Sequence, residues 1–431
     1  MTARDKIVET LVGAISTDEV IDLEKRLIRT RSYTLEETPL AELIVEYLRE
    51  QGIDAVLQQV PVPAHLQSSN LPHVSHNVVG RLPGHGDGSS LLFNGHMDVN
   101  ATDLAVGGTA FTGYSTWTRD PFTPTVENGR IYGKGAYDEK GGLCAFLAAT
   151  VAIKRAGVRL RGDLYVCPVM GHYSESIGTK HMMREGPRAR YGICAENSGS
   201  WIVPAHNGGI LAEVRVRGVN PGTKYTLPET LQRATGFENA VRFVRALGSE
   251  GVPHPRDGWL RFSPHAVLPE FPNHRIGYLR PVDNALDQIA IGLLLKTVPG
   301  MDEQTCTEDL ARLLKTLCET YADFPGGEVR CRCWSPPLVT QPDSRVVEAL
   351  ARAHRTATGR DPVIGTEARR GAMGDSGVMS AAGIETCIFG PGIMHDVSQL
   401  RGEGPPDESI SIQELVAAAH TMMFAAVSLC S

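Results

Sequence analysis

The run Asn94-Gly-His-Met-Asp-Val-Asn100 follows directly on the apolar stretch Leu91-Leu92-Phe93. A strand points alternate side chains to opposite faces, so a strand that ends here places His96 and Asp98 on one face as the chain opens into a loop. In metal sites of this kind a carboxylate beside an imidazole fixes the ring tautomer and raises the basicity of the nitrogen that binds the ion. His-x-Asp alone is a short pattern, and its weight comes from a second polar stretch about forty residues further on.

That second stretch is Gly133-Lys-Gly-Ala-Tyr-Asp-Glu-Lys-Gly-Gly142, followed by the helical run Leu143 to Arg155. Glycines let backbone pass close to a site, and Asp138 falls in the loop that enters the helix, where a carboxylate can bridge cations. Lys140 is expected to anchor the start of that helix. Upstream, Thr17 to Thr30 and Thr38 to Gln51 repeat apolar residues at helical spacing, with Pro39 in a first turn and Gly52 as a stop. Ala55 to Val60 and His76 to Leu82 read as strands.

With 431 residues the chain is too long for one ordinary core and suits two or three structural units. A net charge of -7 without a basic stripe argues against a nucleic-acid surface and for a small-molecule partner. Met1 to Val20 mixes charged and apolar residues, so no secretory signal is expected, and no window is expected to span a bilayer. The nine Cys, including Cys144, Cys167, Cys194 and Cys387 in apolar contexts, read as reduced, buried thiols of a cytoplasmic protein. Cys331-Arg-Cys333 fits alternation along a strand at least as well as metal binding.

The two polar stretches together resemble the zinc-dependent aminoacylase, carboxypeptidase G and acetylornithine deacetylase superfamily, whose pattern is a His-x-Asp strand followed by Gly-Arg-Gly-x-x-Asp-x-Lys-Gly-Gly. Only Lys134 in place of Arg departs from it. The resemblance implies His96 as metal ligand, Asp98 as its orienting carboxylate and Asp138 as bridging ligand. Ala195-Glu196-Asn197 takes the place of Gly-Glu-Pro and implies Glu196 as a ligand of the same ion. Gly236 to Ala240, Val298-Pro299-Gly300, Gly374-Asp375-Ser376, Phe389 to Gly392 and Pro406 to Ile412 extend the likeness along most of the chain. The implied fold is α/β: a three-layer α/β/α metal-binding catalytic domain from residues 1–207 and 333–431, with an inserted α+β, ferredoxin-like dimerisation domain at 208–332. A homodimer is the default expectation. The strand-like Leu211 to Val216 and Ile289 to Leu295, with a helix around Glu238 to Leu247, agree with the insertion.

The likeness breaks at the chemistry. The family carries Asp-Glu-Glu after a strand beginning Gly-Asp, the first Glu being general base and the second a metal ligand. Counting from Gly162 and back from Gly178-Thr179 puts Gly171, His172 and Tyr173 there. The family's last ligand, a His, falls at Gly404, and the nearest loop histidine, His395, comes nine residues earlier. His395, Glu403 or neither completes the set. The inserted domain has Gly222 where the family has a His, and Lys296 where it has a substrate-facing Arg. Tyr173, Asp375 and Lys296 are therefore expected near substrate, with His172 as the expected base and Glu175 as a second candidate.

His96, Asp138 and Glu196 retain one three-ligand zinc set, the open geometry of a catalytic ion, so one ion is favoured over two, with other transition metals also compatible. Three readings stand. The first is an amidohydrolase acting on a small acylated amino acid or dipeptide, with His172 taking the proton. The second is a non-hydrolytic enzyme (amide formation, cyclisation or elimination) using the same ion, and the third is an inactive binding protein.

Overall fold

The computed structural model describes residues 3–100, 117–219, 234–255, 258–283, 287–366, 373–392 and 407–431. The chain divides into two compact units, one from Met1–His206, Leu338–Arg370 and Gly374–Ser431, the other from Asn207–Pro337 with Gly371–Met373. The return crossing lies after Pro337 and not at Cys333, because the last strand of the second unit keeps its pairing up to Ser335 opposite Gly209.

The first unit begins with helices α1 (Ala3–Gly13), α2 (Thr17–Arg29) and α3 (Thr38–Glu50), then strands β1 (Asp54–Pro61), β2 (Val74–Leu82) and β3 (Leu91–His96). A small hairpin, β4 (Thr125–Glu127) and β5 (Arg130–Tyr132), leads to α4 (Lys140–Arg155), β6 (Leu164–Val169), α5 (Ile177–Glu185), β7 (Tyr191–Cys194) and β8 (Ala205–His206). Six strands form the main sheet in the order β1-β2-β6-β3-β7 and a last strand, Glu385–Ile388. That last strand, β7, β3 and β6 run parallel, whereas β1 and β2 are antiparallel additions.

Alternation along β3 explains the layers. Leu91 and Phe93 enter one core with Leu143, Phe146, Leu147 and the C-terminal helix, while Leu92 enters the other with Cys167, Val169, Met182, Cys194 and Met379. Phe93 stacks on Phe146 at 5.7 Å, fixing α4 against the sheet. Lys140, the first residue of α4, is buried and donates from Nζ to the carbonyls of Leu27 (2.9 Å) and Thr30 (2.8 Å), tying the end of α2 to the start of α4. Gly52, just past α3, takes φ of 68°, as a helix stop requires.

The second unit runs β9 (Gly208–Arg217), α6 (Gly236–Leu247), β10 (Asn273–Pro281), β11 (Gln288–Thr297), α7 (Glu303–Thr320) and β12 (Gly327–Ser335). Its four strands are antiparallel in the order β10-β11-β9-β12, the split β-α-β-β-α-β arrangement expected for a ferredoxin-like insert. Cys331 and Cys333 alternate along β12. The first unit then resumes with β13 (Leu338–Val339), α8 (Arg345–Thr358), α9 (Asp375–Ala381), β14 (Glu385–Ile388), β15 (Ser409–Ser411) and α10 (Ile412–Leu429).

One expectation is corrected here. Ile412–Leu429, with mean hydropathy 1.4 over 18 residues, is long and apolar enough to cross a bilayer by composition. It is apolar for another reason: Leu415, Ala418, Ala419, Met422, Met423 and Ala426 are buried, and the helix packs on α4 and α8.

Candidate metal centre

Three neighbouring parallel strands, β6, β3 and β7, end side by side, with His96 in register with Val169. Ligand sites of parallel α/β sheets lie beyond the carboxyl ends of the strands. Each strand delivers one group to that edge: His96 closes β3, His172 follows β6 after a turn at Gly171 (φ 66°), and Glu196 follows β7. The three are buried, and one donor atom from each lies within 4.8 Å of the others. The imidazoles of His96 and His172 stack at 4.3 Å, 14° from parallel.

Asp98 meets His96 in two ways. Its backbone carbonyl lies 2.9 Å from His96 Nδ1, and its carboxylate Oδ1 lies 3.5 Å from the same nitrogen. The carboxylate accepts from the backbone N–H of His172 (3.0 Å), the N–H of Tyr173 (3.1 Å) and the Thr34 hydroxyl (3.1 Å). The two backbone donors reach it because the β6 turn folds over the end of β3, a tertiary contact that His-x-Asp spacing does not contain. The carbonyl bond still leaves His96 Nε2 directed to Asp138 Oδ1, 3.2 Å away.

Asp138 is held by the loop beneath it. Glu408, buried, accepts N–H bonds from Gly135 (2.9 Å), Tyr137 (3.1 Å) and Asp138 (3.2 Å) and pairs with Lys134 at 3.5 Å. The Tyr173 hydroxyl donates to Asp138 Oδ2 at 3.3 Å. Glu37 performs a similar task for the β6 turn: its carboxylate accepts from the N–H groups of Leu35 and Gly171 and from the Ser75 hydroxyl.

Asp375 opens α9, where the sequence reading has a loop near substrate. It is buried, with Oδ2 3.3 Å from His172 Nδ1. Burial opposes its ionisation, but the charge and hydrogen bond of His172 keep its carboxyl below the usual range. Burial and the neighbouring His96 disfavour protonation of His172, and Asp375 and Glu196 outweigh them, so its pKa lies above the ordinary value. His96 is likewise raised: burial lowers it, while Glu139, Asp138 and Asp98 overcome burial. Burial drives Glu139 well up, His96 opposes, and Glu196, Asp138 and Asp375 add to the rise.

The donor set fits a divalent cation. Asp98, Glu139, Glu196 and Asp375 are buried around two imidazoles, and Asp138 meets one of those rings. Glu139 Oε1 and Asp375 Oδ1 have no hydrogen-bond partner among the described residues. Carboxyl groups gathered out of water in this way stay ionised together only with positive charge nearby. Imidazole nitrogen and carboxylate oxygen suit zinc and its first-row neighbours.

Of the other expected residues, Glu175 has φ of 63° and its carboxylate is met by His65 Nε2 at 3.3 Å. Lys296 lies on β11 of the second unit, between Asn273 of β10 and Gly209 of β9. His395, Glu403 and Gly404 lie outside the described residues, as does Gly222. Sequence reasoning missed Glu139, although it adjoins Asp138, and missed the anchoring by Glu408, whose only signal was its place in the Pro-Asp-Glu segment.

The family model described as Peptidase family M20/M25/M40 matches residues 92–427. The N-formyl-4-amino-5-aminomethyl-2-methylpyrimidine deformylase of Bacillus subtilis (strain 168) is 25% identical over 386 residues, 82% of this chain and 83% of that protein. A succinyl-diaminopimelate desuccinylase of Methylobacterium radiotolerans is 26% identical over 366 residues, 81% of this chain and 84% of that protein. Among solved structures, the di-peptidase Dug1p from Saccharomyces cerevisiae shares the fold with a TM-score of 0.74 at 15% identity, covering 98% of each chain. With a match that takes in most of its length and the architecture to go with it, this chain belongs to Peptidase family M20/M25/M40 and is an enzyme of the peptidase and amidohydrolase type.

Proposed function

We propose that this protein is a zinc-dependent amidohydrolase that cleaves the amide of a small N-acylated amine, amino acid or dipeptide-like substrate. The observation that carries the reading is the cluster of His96, His172 and Glu196 at three adjacent strand ends, beside Asp138. The names of the two relatives support the substrate class, since one removes a formyl and the other a succinyl group from an amine nitrogen. His96, Asp138 and Glu196 would hold the ion, which when bound supplies a Lewis acid for the amide carbonyl and makes water a better nucleophile near neutral pH.

The chain's own groups handle position and protons. His96 is fixed through Nδ1 by the Asp98 carbonyl, and Asp98 Oδ1 and Oδ2 hold the turn that carries His172. The His172 ring takes a proton from the attacking water, and Asp375 Oδ2 beside Nδ1 offsets the charge that this creates. The proton passes to the leaving amine nitrogen, so that water and amide yield a carboxylate and an ammonium product.

The test is His172→Gln assayed on formyl and succinyl amides, with metal content measured on the same preparation. A base predicts retained metal and a loss of turnover of roughly two to four orders of magnitude. Asp375→Asn should lower turnover with the metal retained. Loss of metal together with turnover in His172→Gln would make His172 a ligand, and unchanged turnover would remove it from the chemistry.

A further inference from the structure

The two oxygens of Asp138 face different partners. Oδ1 lies 3.2 Å from His96 Nε2, on the side of the histidine cluster, and Oδ2 receives the Tyr173 hydroxyl at 3.3 Å. A carboxylate that bridges two cations needs both oxygens, one for each ion. Here the second oxygen is met by a hydroxyl, which supplies a hydrogen-bond donor and no coordination site of its own.

Tyr173 is held in that position from several directions. Its backbone N–H is fixed on Asp98 Oδ2 at 3.1 Å. Its ring meets the edges of His96 (5.4 Å, 74°) and His172 (5.0 Å, 85°). A ring wedged among these groups cannot swing aside without loosening both imidazoles. Among the described residues, His96, His172 and Glu196 gather on the His96 side of Asp138, which its Oδ1 faces, whereas its Oδ2 is met by the Tyr173 hydroxyl.

We infer that Tyr173 makes this a one-cation centre: its hydroxyl occupies Asp138 Oδ2 where a second cation would otherwise bind, and supplies by hydrogen bonding the positive partner that oxygen requires. The inference rests on the reading that a cation binds beside His96. Tyr173 is thus a positioning residue. It orients Asp138 so that one oxygen remains for the ion, and metal stoichiometry reports its effect directly.

The experiment is a titration of metal-stripped full-length protein with zinc, followed by calorimetry and by elemental analysis after gel filtration, with circular dichroism to establish folding. The wild-type chain should take up one equivalent. Tyr173→Glu, which replaces the hydroxyl by a ligand, should take up a second. Tyr173→Phe should keep one equivalent with affinity reduced roughly tenfold, the lower end of the usual effect of removing a group that orients a ligand. Two equivalents in the wild-type chain, one equivalent in folded Tyr173→Glu, or unchanged affinity in Tyr173→Phe would each overturn the inference while leaving the cation site itself intact. No binding to the wild-type chain would overturn both the site and the inference.

Discussion

Glu408 lies far from Asp138 in sequence and yet decides where Asp138 points. Replacing it with Ala removes the acceptor for three backbone N–H groups, those of Gly135, Tyr137 and Asp138, and leaves the Lys134 ammonium without its 3.5 Å partner. A buried donor left without an acceptor costs about 1–3 kcal/mol. Gly135 is buried, whereas Tyr137 and Asp138 are half-buried and can recruit water, so the sum is about 3–5 kcal/mol and not three times the upper figure. Glu408→Gln keeps one acceptor oxygen but turns an amide NH₂ toward donors, and should cost about 2 kcal/mol. Both variants release the loop that aims Asp138, so zinc affinity should fall roughly 10- to 100-fold. Urea denaturation of the metal-free protein reads the first quantity and calorimetric zinc titration the second. Unchanged affinity in Glu408→Ala, with the chain still folded, would refute the argument that this carboxylate sets the position of Asp138.

Two further outcomes concern the second unit. His254 Nε2 lies 2.9 Å from His274 Nδ1, and burial, reinforced by His274, lowers the His254 pKa from 6.5 to about 4. Between those values the unfolded chain binds a proton that the folded chain refuses, so stability falls as pH drops from about 7.5 to about 5, by about 1 kcal/mol once solvent screening is allowed for. Urea midpoints at the two pH values test this against His254→Phe, which should lose that part of the pH dependence; an identical slope in the variant would assign it elsewhere. On α6, Phe237 is 55% and Val241 46% exposed, one turn apart, and a homodimer formed through this unit would cover them. Light scattering should then give twice the chain mass for the wild type and a lower mass for Val241→Asp, and a wild-type monomer at micromolar concentration would exclude the dimer.

The fold was legible wherever local chemistry repeats. Apolar spacing marked α2 and α3, Gly52 marked a stop, and the run from Leu91 marked a fully buried strand because both faces of that sheet are covered. Alternation marked β9, whereas β11, buried along nearly its whole length, was legible only as an apolar run. Contacts that depend on strand pairing were not legible. The stacking of His172 on His96 follows from the parallel register of β3 and β6, and the converging donors on Asp98 follow from the turn after β6. Glu175 was a second candidate base because a shorter loop before Ile177 would bring it into the site; the backbone is left-handed at Glu175 and Ser176, and His65 Nε2 meets the Glu175 carboxylate. The C-terminal helix has a mean hydropathy of 1.4 over 18 residues despite Gln413, Glu414 and His420, and mean composition alone does not separate a core helix from a membrane span.

Replacing a catalytic carboxylate by histidine looks damaging when only the sequence is considered. A glutamate carries one negative charge and becomes neutral on taking a proton, whereas a lone imidazole starts neutral and becomes positive beside a cation. The Asp375 contact changes that comparison. The His172 and Asp375 side chains, 3.3 Å apart and both buried, start together at one negative charge and reach neutrality after protonation, the same two states as a single glutamate. With His172 as the base, as proposed, the β6 turn would keep the charge balance of a carboxylate base while its negative end lies on the first residue of α9. The same comparison explains the neighbouring position. Tyr173 brings a hydroxyl where a ligand carboxylate is expected, which removes one negative charge from the centre and lowers the positive charge it can hold, the direction that the inferred single cation requires.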